Sequence, residues 1–137
     1  MLRPETRTRA RALQLLYAWE TRNRPPLARL VPGLQRLTRV RPALLERSEV
    51  LADRVIEQVQ ELDRRIAGAA EHWRLERIGR LERLILRIGC AELLDPRVPP
   101  RTAIDEALWL THRFVGSAAV PFVNGVLDRL ARDLGRL

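Results

Sequence analysis

Four arginines near the N-terminus are the residues of this chain best suited to hold an anion. Arg3, Arg7, Arg9 and Arg11 fall within nine consecutive positions. On an α-helix, Arg3, Arg7 and Arg11 lie within about 80° of one another, and Arg9 points nearly opposite. Cations in the first turns oppose the helix dipole, at a cost of a few tenths of a kcal/mol each. We therefore expect these arginines to contact phosphates. The alternative is a solvated basic tail without a specific partner.

The charge of the chain is distributed unevenly. Residues 1–47 contain 11 Arg and 3 acidic residues, whereas residues 48–137 contain 14 Arg and 14 acidic residues. The whole formal net charge of +8 therefore lies in the first third of the sequence. A local excess of this kind is typical of a surface that binds RNA, DNA or an acidic membrane. All 25 basic residues are Arg, which we attribute to genomic base composition or a warm habitat rather than to binding.

Tyr17, Phe114, Phe122 and Asn124 have side chains suited to unpaired bases. Tyr17 lies at the edge of the apolar arc of its helix, beside the arginines, where its ring either stacks on a base or packs as a half-buried core residue. Phe114 and Phe122 flank one helix break and either stack on RNA or seal the core. Asn124 offers a donor and an acceptor to a base edge, although Asn-Gly within a helix also suits close packing.

The sequence provides little for catalysis or metal binding. Cys90 is the only cysteine, and with His72 and His112 as the only histidines, a Cys/His metal cluster lacks ligands. The apolar neighbours of Cys90 indicate a small buried hydrophobic residue rather than a nucleophile. Neither a glycine-rich phosphate loop nor a Ser/His/Asp grouping is recognisable in the sequence. We therefore expect no enzyme, no catalytic residue, no metal and no cofactor.

The spacing of apolar residues predicts an all-α fold. These residues recur at three- and four-residue steps nearly throughout, and no stretch alternates as a half-buried strand does. Thr102 and Asp105 are expected to form a capping box that opens one helix, and Pro121 fits the first turn of the last helix. The other predicted helices cover approximately residues 6–21, 27–37, 43–69 and 75–94.

Length and hydropathy limit the class of protein further. The 137 residues fit a single domain spanning 1–137. No stretch approaches the roughly 20 apolar residues that cross a bilayer, and the N-terminus lacks the apolar run of a secretory signal. The arginines of the first helix gather at one end rather than along its polar face, which disfavours a membrane-surface role. We expect a cytoplasmic protein without a membrane partner.

Three blocks of the sequence resemble the NusB family of bacterial transcription antitermination factors. The first, RARALQLLYAWE at residues 9–20, is similar to the family's basic start followed by a Leu-Tyr-x-Trp helix. The second comprises residues 73–78, 84–88 and 92–94, and the third comprises residues 98–99, 103–107 and 122–128. Together, in the family's order and spacing, they cover most of the chain except residues of about 22–43.

The resemblance implies a fold, a function and a binding site. The fold would hold about six to seven helices in two small bundles, here residues of about 1–70 and 71–137. The protein would bind boxA-type single-stranded RNA together with NusE, a small-subunit ribosomal protein, within the RNA polymerase antitermination complex of ribosomal RNA operons. The RNA-binding residues would be Arg3, Arg7, Arg9, Arg11, Tyr17, Phe114, Phe122 and Asn124.

Two glutamates of the helix predicted at about residues 75–94 are candidates for receiving a basic ribosomal partner. These are Glu76 and Glu82. The alternative is pairing within their helix, for which Glu76 and Arg80 have suitable spacing, whereas Glu82 and Arg87 do not. The chain departs from the family's pattern at Ala91, Ala118, Ala119 and Pro121.

Two other classes of function stay open. One is the RNA-targeting N-terminal domain of a ribosomal RNA cytosine methyltransferase, which resembles this family. That enzyme needs a further domain with a nucleophilic Cys and cofactor-binding glycines, and we expect none beyond Leu137. The other is a helical structural adaptor that acts by dimerisation, because relatives are implied to form dimers that hide the RNA surface. The expected oligomeric state is a monomer or a homodimer.

Overall fold

The computed structural model describes residues 2–70 and 77–137 of the chain. Within these residues the secondary structure consists of α-helices and short 3₁₀ turns without a strand, which confirms the all-α prediction. The α-helices are α1 (Pro4–Thr21), α2 (Val31–Thr38), α3 (Pro42–Glu57), α4 (Val59–Ala70), α5 (Arg80–Leu94), α6 (Pro100–Phe114) and α7 (Val120–Asp133).

The chain forms two compact units, Met1–Glu57 and Gln58–Leu137. We expected one helix over residues 43–69 and a boundary near residue 70, and both expectations differ from the structure. Gln58 separates α3 from α4, although neither Pro nor Gly lies nearby. The reason is tertiary packing, since α3 packs on α1 whereas α4 packs on α5 and α7. One continuous apolar pattern therefore serves two different cores.

The first unit is built on the packing of α1 against α3. The apolar side predicted for α1 is buried, and it includes Leu13, Leu16 and Trp19. Between the two helices, the Ser48 hydroxyl lies 3.0 Å from the carbonyl oxygen of Thr8, to which it donates a hydrogen bond. The predicted helix over residues 27–37 is a 3₁₀ turn, Leu27–Arg29, followed by the short α2.

The second unit surrounds α5 with α4, α6 and α7. Ten of the fifteen residues of α5 are buried, including an arginine. The Arg87 guanidinium donates from Nε to Asp63 Oδ1 at 2.7 Å and from Nη2 to Asp63 Oδ2 at 2.9 Å. This bidentate pair compensates the buried charge and joins α5 to α4.

The helix starts show which local signals decide a boundary. The capping-box prediction is wrong, because α6 begins at Pro100 with Pro99 as its N-cap and without a side-chain capping bond, so Thr102 lies inside the helix. Proline fixes φ near the helical value and loses no required donor at the first turn. Pro121 does lie in the first turn of α7, as predicted. Among the described residues, no helix has the length and hydropathy needed to cross a membrane.

Candidate nucleic-acid interface

The predicted arginine site divides into accessible and inaccessible side chains. Arg3, the N-cap of α1, and Arg7 are exposed. Arg9 is 9% exposed and has an interaction partner within the protein. This burial agrees with the predicted direction of Arg9, opposite to Arg7, and removes Arg9 from the accessible arginines that we expected to contact RNA phosphates. The accessible cations at the start of α1 are therefore Arg3 and Arg7.

Arg11 is half-buried at the edge of this accessible group. Its Nη1 donates a hydrogen bond to Gln14 Oε1 at 2.8 Å. Its Nε is buried and has no hydrogen-bond partner in the part of the chain that the structure describes. Burial, followed by the nearby charge of Arg7, lowers the pKa of the Arg11 guanidinium. An anion placed here would offset both the desolvation and the repulsion.

Tyr17 is the accessible aromatic residue of α1. The residue is 44% exposed, which fits both a ring that stacks on a base and the alternative of a half-buried tyrosine. By helical geometry, Arg3, Arg7 and Tyr17 lie within an arc of about 80°, and Tyr17 is about 15 Å along the axis from Arg7. We call these three residues the α1 face. It offers cations at one end and an aromatic ring further along.

The second unit carries the remaining predicted residues at the junction of α6 and α7. Phe114 ends α6 and Phe122 lies in the first turn of α7, and both are half-buried. Gly116, with φ of 139°, allows the chain to turn between these helices. Sequence reasoning missed Arg113, whose Cζ lies 5.4 Å from the centroid of the Phe114 ring. Its position next to Phe114 was the available signal.

Asn124 is exposed on α7, and the glycine after it is not required for packing. A Cβ atom built on Gly125 would meet no heavy atom within 4 Å. The alternative that Asn-Gly permits a close approach between helices is therefore wrong for this chain. Of the departures from the family's pattern, Ala118 and Pro121 are exposed nearby, whereas Ala91 is buried.

The two candidate partner-binding glutamates have different outcomes. Glu76, like Trp73 of the same block, lies outside the described residues. Glu82 is half-exposed, and a Cβ on Gly79 would lie 2.5 Å from its Oε1, so its carboxylate covers the N-cap of α5. The weaker alternative of a Glu82–Arg87 pair does not form, because Arg87 pairs with Asp63.

Cys90 is fully buried within the second unit, as its apolar neighbours predicted. Burial is the main cause that raises the pKa of its thiol from 9.0 to about 12. A thiol in this environment stays protonated at neutral pH and is a poor nucleophile. Within the described ranges there is also no group of three His, Cys, Asp or Glu side chains placed to hold a metal ion.

Fold and site define a class, namely all-helical proteins whose first helix exposes an arginine and tyrosine face. The sequence matches the NusB family over residues 6–132. It is 38% identical over 132 residues to the transcription antitermination protein NusB of Solibacter usitatus, covering 93% of this chain and 88% of that protein. The chain belongs to the NusB family.

Solved structures agree with this assignment. T. maritima NusB matches with a TM-score of 0.83 and 28% identity, covering 97% of this chain and 94% of that one. A structure of the antitermination factors NusB and NusE in complex with double-stranded RNA matches with a TM-score of 0.82 and 27% identity, covering 97% of this chain and 99% of that one.

Proposed function

We propose that this chain is a non-enzymatic transcription antitermination factor that binds boxA-type single-stranded RNA together with NusE in the bacterial cytoplasm. The observation that carries the proposal is the α1 face, where exposed Arg3 and Arg7 share one side of the helix with the exposed ring of Tyr17. The relatives named as antitermination proteins support the role in transcription, and the solved complex of NusB and NusE with double-stranded RNA supports binding of RNA together with NusE.

The α1 face suits a single strand of RNA. Arg3 and Arg7 bind phosphates through planar guanidinium groups, and Arg11 adds a desolvated cation beside them. Tyr17 provides a surface for an unpaired base, a contact available in a single strand and not in a stacked duplex. Arg9 is buried and is not part of this surface.

In the second unit, the α6–α7 junction supplies a further set of contacts. Phe114 and Phe122 leave part of each ring accessible for stacking, and exposed Asn124 hydrogen-bonds a base edge. Arg113, over the Phe114 ring, adds a cation to this set. Gly125 leaves the adjacent helix surface smooth, so that RNA can approach the backbone.

The proposal also assigns a partner-binding role to two glutamates and a structural role to Cys90. Glu82, together with Glu76, receives the basic side chains of NusE, because the half-exposed Glu82 carboxylate forms no ion pair with the described residues. The buried, protonated thiol of Cys90 favours a structural role over nucleophilic catalysis.

The test is a salt titration of binding between the chain and labelled boxA RNA, with and without NusE. In the Arg3→Gln/Arg7→Gln variant, loss of two phosphate contacts should lower the slope of log affinity against log salt by about 1.4. NusE should tighten RNA binding by the wild-type chain, and Glu82→Gln should reduce that tightening.

The matched control is Arg101→Gln/Arg132→Gln, which removes the same charge from exposed positions of the second unit. It should keep the wild-type slope. Equal binding of a scrambled RNA, or an unchanged slope in the α1 variant, would contradict the proposal.

A further inference from the structure

Most of the positive charge of the first unit lies outside the α1 face. Residues 1–21 contain four Arg and two Glu, whereas residues 22–47 contain seven Arg and one Glu. From residue 22 to residue 45 there is no acidic side chain. The charge excess of the chain is therefore concentrated in the connection from α1 through α2 to the start of α3.

The arginines of this connection are available to a ligand. All seven are exposed. Arg24 is engaged, since its Nη2 lies 3.3 Å from Glu20 Oε1 and its Cζ lies 4.5 Å from the centroid of the Trp19 ring. The other six form no side-chain hydrogen bond or ion pair among the residues that the structure describes, and we call them the connection surface: Arg22, Arg29, Arg36, Arg39, Arg41 and Arg47.

The backbone at Arg39 indicates that its side chain serves something other than folding. Arg39 ends α2 in the left-handed conformation, with φ of 54°, where glycine is the least strained residue. Its backbone N–H caps the helix by donating to the Gln35 carbonyl oxygen at 2.8 Å, a bond that glycine would also make. The attraction between a cation and the helix C-terminus is smaller than this strain.

The helix that carries the surface also contributes little to the core. None of the eight residues of α2 is fully buried, and Leu37 is 82% exposed. Val31 and Leu34 are half-covered, which leaves Leu37 as the apolar side chain that projects most from α2. One projecting leucine on a helix this short is a weak anchor for a membrane, so the charge is the main feature for recognition.

We propose that the connection surface binds the phosphate backbone of single-stranded RNA that flanks the segment held by the α1 face. This inference rests on the proposed function. The guanidinium groups supply phosphate contacts without base recognition. Arg22 directly follows α1 and lies five residues, or about 7.5 Å along the axis, beyond Tyr17 of the α1 face, so RNA that continues past Tyr17 reaches the connection surface.

The experiment compares two RNAs, a boxA RNA and the same RNA extended by about ten nucleotides at either end, a length of about 34 Å even at the spacing of stacked nucleotides. The wild-type chain should bind the extended RNA more tightly and with a steeper salt dependence. Arg36→Gln/Arg39→Gln/Arg41→Gln should lower the slope of log affinity against log salt for the extended RNA by about 2. Between roughly 50 and 200 mM salt, this variant should therefore lose about twentyfold less affinity for the extended RNA than the wild-type chain loses.

Two control variants test whether a loss of RNA binding comes from lost contacts rather than from lower net charge or lower stability. Arg101→Gln/Arg129→Gln/Arg132→Gln removes the same charge from the second unit and should keep the gain from extension. Arg39→Gly should raise the midpoint of thermal unfolding, because it relieves the left-handed strain, and should weaken binding of the extended RNA alone.

The outcomes distinguish this inference from the proposed function. If the short RNA binds and extension adds nothing, or if both triple variants behave alike, the connection surface does not bind RNA. The surface would be assigned to a membrane instead if the wild-type chain bound phosphatidylglycerol vesicles, if Arg36→Gln/Arg39→Gln/Arg41→Gln abolished that binding, and if extension of the RNA gave no gain in affinity. If neither RNA binds the wild-type chain, the proposed function itself fails.

Discussion

A single side chain near the end of the chain, Arg136, closes the C-terminus of α5. Its Nη1 donates to the carbonyl oxygens of Leu93 and Asp95 at 2.8 and 3.2 Å, and its Nη2 donates to that of Val98 at 2.8 Å. Gly135, with φ of 69°, makes this possible, because the left-handed residue turns the chain after α7. The guanidinium satisfies the Leu93 carbonyl in the last turn of α5, where a helix leaves carbonyls without partners, and holds the following turn through Asp95 and Val98.

At the residue scale, Arg136→Ala should lower the free energy of unfolding by about 2 kcal/mol, since it removes charged donors from three carbonyls. The stability of Arg136→Lys should lie between those of the wild-type protein and Arg136→Ala, because an ammonium cannot reproduce the planar fork of donors. Urea denaturation followed by circular dichroism measures both. The control is Arg132→Ala, whose exposed pair with Asp128 contributes little to stability. Equal losses in the two alanine variants would exclude the capping role.

At the scale of the element, α5 depends on a close approach to α7. A Cβ on Gly89 would lie 2.8 Å from Leu127 Cδ2 and 3.6 Å from the Ala107 Cβ. Leu127 is fully buried, so its side chain has little room to move aside. Gly89 is therefore required by packing, in contrast to Gly125 on α7, whose surroundings are open.

Gly89→Ala and Gly125→Ala should have opposite effects on stability. Both replace a glycine inside a helix, which by itself gains about 0.5–1 kcal/mol. At Gly89 the clash with Leu127 costs about 1–3 kcal/mol, so we expect a net loss of about 1 kcal/mol. Denaturant midpoints at constant m-value give the comparison. A stabilised Gly89→Ala protein would show that the α5–α7 contact is looser than the structure indicates.

At the scale of the whole molecule, the first unit carries most of the net charge, because its residues 1–57 contain 12 Arg and 6 acidic residues. This excess of positive charge opposes folding of the first unit. The second unit is closer to neutral, with 13 Arg and 11 acidic residues. Its exposed ion pairs, such as Arg64–Glu61 and Arg129–Asp133, are of the kind that contributes little to stability. Screening should therefore relieve repulsion among the arginines of residues 22–47 more than it weakens attraction elsewhere.

Added salt should raise the melting temperature of the RNA-free protein. Between about 20 and 300 mM potassium chloride, we expect a gain on the order of 1 kcal/mol, or about 4 °C for a chain of this size. Arg36→Gln/Arg39→Gln/Arg41→Gln should reduce this dependence, because three of the repelling charges are gone. Differential scanning calorimetry measures it, and a melting temperature that falls with salt in the wild-type protein would refute the prediction.

The spacing of residues along the chain was enough to predict the helical class, most helix positions and several side-chain directions. These follow from spacing along one chain, because neighbours three and four residues apart share a helix face. The same geometry separated Arg9 from Arg7, and burial of Arg9 confirmed it. The apolar surroundings of Cys90 likewise predicted its burial.

Tertiary structure alone decided which parts of those patterns face a partner within the chain. It broke the predicted long helix at Gln58, exposed Asn124 beside an unfilled Gly125, and directed Arg136 to the end of α5. It also showed that six arginines of residues 22–47 have no side-chain partner among the described residues. Burial and pairing depend on groups that are distant in sequence, and no local spacing records which of them meet.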